Sequence, residues 1–128
     1  MTRSAVRIKP CETLSDVRRE IDRLDRRIVA LLSERARYVG EAARIKKRAS
    51  QIVDRPRILD VVMKARSRAE ALGADSDTIA RIYLAMIRAF IAFERRAFAT
   101  KASGTRKNAL RKKATASRQA PKRSKPRR

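Results

Sequence analysis

The sequence predicts an all-α fold, on three observations. Apolar residues recur every three or four positions in three separate stretches. Helix start and stop signals fall at the ends of those stretches. Nowhere do apolar and polar residues alternate with the period of two that a half-buried strand requires.

The first helix is expected over about residues 14–48, after an irregular lead at residues 1–12. Thr13 suits its N-cap, with Asp16 in the capping-box position. Its apolar stripe is Val17, Ile21, Leu24, Ile28 and Leu31, then Tyr38, Ala42 and Ile45. At about 1.5 Å per residue this helix would be about 52 Å long. A compact globule of roughly 100 residues has a radius of gyration near 13 Å. The helix therefore overhangs anything so short a chain can build around it. The simplest cover for its stripe is a second copy, so an intertwined homodimer of three-helix protomers is expected.

Residues 49–54 read as a loop, and Asp54 can cap a second helix with Pro56 in its first turn. Ile58, Val61, Val62, Ala65, Ala69 and Leu72 form that helix's apolar face, and Gly73 ends it. A third helix is expected from Asp75 or Ser76 to about Thr100, with Ile79, Tyr83, Met86, Ile87, Phe90, Glu94 and Phe98 in its stripe. The folded domain is thus 13–100. Residues 101–128 are rich in Lys, Arg, Ala, Ser and Thr, with one Leu and no aromatic. They bury too little apolar surface to offset ordering, so a disordered basic tail is expected.

Charge is distributed unevenly. The formal net charge is +22, and residues 101–128 hold twelve Lys/Arg and no acid. The absence of histidine removes Ser-His-Asp and Cys-His catalysis and most zinc sites. A single cysteine, Cys11, precludes an internal disulfide and fits a reducing compartment. With no signal-peptide pattern and no run long enough to span a membrane, a cytoplasmic protein without membrane contacts is expected.

Two charges interrupt the apolar stripes. Arg35 fills the gap between Leu31 and Tyr38, and Glu94 follows Phe90 by four residues. Such charges are costly in a seam unless paired, and a plain buried salt bridge is the alternative to a binding role. Lys46 lies eleven residues after Arg35, so both project from one helix face, about 16 Å apart. Together they suit a small dianion. Arg18 lies about 42 Å from Lys46 along the same helix, so it reaches that ligand only from a partner chain.

The segments VRREIDRLDRRIVALLSERARYVGEAARIKK (17–47), DRPRI (54–58) and AMIRAFIAFERRAF (85–98) resemble the all-helical chorismate mutases, the class that includes the isochorismate pyruvate lyases. The resemblance covers roughly residues 13–98. It implies three helices per chain, a dimer with long first helices packed together, and active sites shared between chains. It implies conversion of chorismate to prephenate, a pericyclic step that uses no cofactor or metal. By motif, Arg18 would come from the partner chain to one substrate carboxylate and Arg35 would hold the other. Lys46 would bond the ether oxygen and a carboxylate, and Arg55 would help to close the site. Glu94 would donate to the ether oxygen, which it does only when protonated. Pro56 stands where many mutases have a Glu that contacts the substrate hydroxyl, which tilts slightly toward the lyase. Phe90, where some have Ser, makes the pocket more apolar. Mutase activity is the favoured reading, and the lyase reaction is the nearest alternative. A reading of another class is a nucleic-acid-binding protein, with the basic tail contacting nucleic acid or other polyanions non-specifically.

Overall fold

The computed structural model describes residues 5–118. Within them lie three α-helices, α1 (Leu14–Ile45), α2 (Arg55–Ala71) and α3 (Ser76–Arg118), and a short 3-10 turn at Ala49–Gln51. Among the described residues there is no strand.

Local chemistry fixes each helix end. The Thr13 hydroxyl accepts from the Asp16 amide at 3.1 Å. The Asp16 carboxylate accepts in return from the amides of Glu12 and Thr13, both at 3.2 Å. At the other end α1 stops at Lys46, whose backbone is extended. The Gln51 side-chain oxygen accepts from the amides of Lys47 and Arg48 at 2.9 and 3.1 Å, folding the chain back. Asp54 caps α2 by accepting from the Arg57 amide at 3.1 Å. Gly73, at φ 73°, ends α2 in a left-handed turn. There the Ala74 amide bonds Ala69 at 2.9 Å and the Gly73 amide bonds Glu70 at 3.1 Å, the Schellman pattern. The Asp75 carboxylate accepts from the amides of Asp77 and Thr78 and opens α3.

α3 packs against both other helices. Its contact with α2 holds the core of Val62, Ala80 and Ile87, flanked by Ile58, Val61 and Ile91. An exposed ion pair, Arg66 to Asp77 at 2.6 Å, ties the same two helices. α1 meets α3 only through its second half, where Ala43 is buried and Arg35, Val39 and Ala42 are half-buried. Its first half is bare. Every side chain from Ile21 to Leu31 is exposed, including Ile21, Leu24, Ile28 and Leu31 of the predicted stripe.

One expectation is overturned. The third helix does not end near Thr100, and residues 101–118 are not an irregular tail, because α3 continues to Arg118. Extending an existing helix skips the costly nucleation step. Residues 101–118 are rich in Ala, Lys and Arg, which favour helix. The remainder of the expected tail, 119–128, lies outside the described residues.

The capping box makes a pH prediction. The Glu12 and Thr13 amides, with the Thr13 hydroxyl, hold the Asp16 carboxyl below the ordinary aspartate range. Its stabilising effect is therefore complete above the unfolded aspartate pKa and is lost as pH falls through the lowered folded value. Thr13→Ala is expected to cost about 1 kcal/mol in urea denaturation. The penalty of Asp16→Asn is expected to be present at neutral pH and absent in acid, where the native carboxyl is protonated. An equal penalty at both would contradict the capping role.

Candidate active site

The end of α1, the start of α2 and the middle of α3 enclose a pocket of about 440 Å³. That is within the usual size range for small-molecule sites. Its floor and walls include Val39, Ile58, Val61, Ile87, Phe90 and Ile91. Its charged members are Arg35, Lys46, Asp54, Arg57 and Glu94. A mostly apolar cavity with a few convergent charges is the form expected of a specific anion site.

Among the described residues, Glu94 is the buried charge, at 6% exposure. Its Oε1 accepts from Lys46 Nζ at 2.6 Å. An ammonium has three N–H donors, so Lys46 can bond Glu94 and still present protons to a ligand. Arg35 lies half-buried, its guanidinium carbon 4.6 Å from the centre of the Phe90 ring. That contact is a cation–π interaction, and it leaves the in-plane N–H groups free for a carboxylate. Phe90 thus does more than make the pocket apolar, as expected from sequence. It is also the platform on which Arg35 rests.

Three of the five predicted site residues, Arg35, Lys46 and Glu94, meet in this pocket. Arg18 is exposed on the bare half of α1 and is not a lining residue of its own chain's pocket. Arg55 borders an adjoining shallow groove with Lys46, Ser50, Gln51 and Pro56, while Arg57 stands at the rim of the main pocket. The Arg57 side chain is largely exposed and bonds the Asp60 carboxylate at 2.9 Å. Pro56, like Arg55, lies outside the main pocket, whose wall there is Ile58 and Val61.

Sequence reasoning also missed Lys101. Its Nζ donates to the carbonyl oxygens of Ala43, Arg44 and Lys46, at 3.3, 2.7 and 2.9 Å. It lies 5.2 Å from the centre of the Phe98 ring. These are carbonyls of the C-terminal end of α1, which a cation there both satisfies and complements electrostatically. The helix α3 thereby holds the segment that carries Lys46. Ile52, 5% exposed within the connecting loop, seals the same corner. The sequence signal for it was the apolar pair Ile52–Val53 in an otherwise polar loop.

Fold and pocket together define a helical domain in which an arginine and a lysine–carboxylate pair line one largely apolar pocket. Comparison with protein families matches residues 17–95 to chorismate mutase type II. The chain belongs to that family, whose activity is an isomerisation of chorismate. Among curated proteins compared with the chain, none matches. Lys101 lies past the matched segment, so its grip on α1 is a feature the family match does not supply.

Lys101→Met is expected to destabilise the protein by about 1 kcal/mol, since it removes a solvent-facing cation from a helix end. Chemical denaturation measures this, with Lys107→Met as the control on the same helix. Equal midpoints for the two variants would mean that the three bonds carry no net stability.

Proposed function

We propose that this protein is a cytoplasmic chorismate mutase, converting chorismate to prephenate as an intertwined homodimer with shared active sites. The observation that carries the reading is the Lys46–Glu94 pair facing Arg35 across one apolar pocket. The reaction breaks a C–O bond and builds negative charge on the ether oxygen. Donors already in place at that oxygen stabilise the transition state more than the ground state. Lys46 and Glu94 take that role, with Glu94 donating in its protonated form. Arg35 binds a carboxylate through paired N–H groups, and Arg55, at the start of α2, helps to close the site. Holding the dianion folded removes part of the entropic barrier.

Arg18 lines no part of its own chain's pocket, and it reaches a substrate carboxylate from a partner chain. The bare stripe of α1, from Val17 to Leu31, supplies the apolar surface on which such a partner would pack.

The test is turnover of chorismate by the purified chain, with prephenate, salicylate and pyruvate measured together. Prephenate alone is expected. Salicylate and pyruvate from isochorismate would instead assign the lyase reaction. Lys46→Ala is expected to lower kcat by about 10²–10³-fold, far more than Arg55→Ala. Mixing equal amounts of Arg18→Ala and Lys46→Ala chains, each inactive alone, is expected to restore about one quarter of wild-type activity, because half the dimers then hold one intact site of two. No recovery after subunit exchange would exclude a site shared between chains.

A further inference from the structure

The helix α3 outruns the body it belongs to. Lys101 is the last residue of α3 seen to bond another element, and every described side chain beyond it is exposed. The remaining residues, 102–118, span about 26 Å of helix. They carry Arg106, Lys107, Arg111, Lys112, Lys113 and Arg118, and no carboxylate. At 100° per residue, Arg106, Lys107, Arg111, Lys113 and Arg118 fall within an arc of about 160°. Lys101, which grips α1, points to the opposite side. The cationic arc thus faces away from the body.

Nothing in the chain's described residues offsets this charge, and neighbouring like charges at helical spacing are destabilising. A partner must bring dense, regular negative charge and must fit a lone helix. We infer that residues 102–118 dock on duplex DNA, through its phosphates and without sequence preference. A helix is about 10–12 Å across with its side chains, and the major groove is about 12 Å wide. The duplex presents one negative charge per about 1.7 Å of axis. Other polyanions fit less well. The sole large apolar side chain on the segment is Leu110, which lies within the cationic arc, so there is no apolar face to enter a lipid surface. The segment has no aromatic residue on which unpaired bases would stack. The deep, narrow major groove of duplex RNA does not admit a helix.

The test uses the full chain and a labelled short DNA duplex, with binding followed by fluorescence anisotropy across a salt series. One variant replaces Arg106, Lys107, Arg111, Lys113 and Arg118 with Gln. A control removes equal charge from the body, at Arg26, Lys64, Arg68, Arg81 and Arg88. The wild type is expected to bind with steep salt dependence. The α3 variant is expected to bind at least about tenfold more weakly at low salt, with a log–log salt slope shallower by about 4, near 0.9 per lost phosphate contact. The body control is expected to keep most of the slope, and chorismate turnover of the α3 variant is expected to match wild type. Equal weakening in both variants would reduce the effect to bulk charge and overturn the proposal. So would wild-type binding by the α3 variant, or tighter binding to anionic vesicles, single strands or duplex RNA than to duplex DNA.

Discussion

The structure of the pocket turns on one contact, Lys46 Nζ to Glu94 Oε1 at 2.6 Å. It joins the end of α1 to the middle of α3, and it places a carboxylate where the surrounding stripe is apolar. Taking a carboxylate out of water costs several kcal/mol, and one ammonium seldom repays it in full. An apolar residue at 94 would complete the stripe of α3 at less cost. The pair is therefore poorly explained as a device for stability and well explained as a device for chemistry. Everything nearby serves to keep it in register. Lys101 holds the last carbonyls of α1, Gln51 turns the chain after Lys46, and Ile52 fills the corner beneath.

The second constraint is length. α1 has 32 residues, yet only its second half finds cover within its own chain. Apolar side chains such as Ile21, Leu24 and Ile28 stand about half exposed along the rest. Covering them with a second copy would bury apolar surface along α1, and would bring another chain's Arg18 toward the pocket. Packing and catalysis thus make the same demand on the same helix. A chain with a shorter α1 would have no need of a partner and would have no second arginine to offer.

Most of the fold was legible in the sequence because its signals were local. Thr13 with Asp16, Asp54 before Pro56, and Gly73 each act within a few residues of a helix end, and each sits where it was expected. Arg35 and Glu94 were legible as charges in apolar stripes. What failed was continuation. Lys101 was averaged into a basic, low-complexity stretch, although its individual geometry ties it to the domain. The helix beyond it was missed for a related reason. Composition measures whether a segment can fold by itself, whereas residues 101–118 inherit a helix already nucleated upstream.

That inheritance makes the position of Lys101 consequential. A helix with six cations and no anion beyond its last tertiary bond is unstable against fraying from its free end. Fraying that passed Lys101 would next reach Phe98 and then Glu94, about two turns upstream. The three bonds from Lys101 to α1 place a barrier between the two regions. On one side the backbone can open and close without consequence for the pocket. On the other it must stay fixed, because Glu94 has to meet Lys46. The same ammonium that closes the end of α1 thus divides α3 into a part packed against the other helices and an exposed, charge-bearing part.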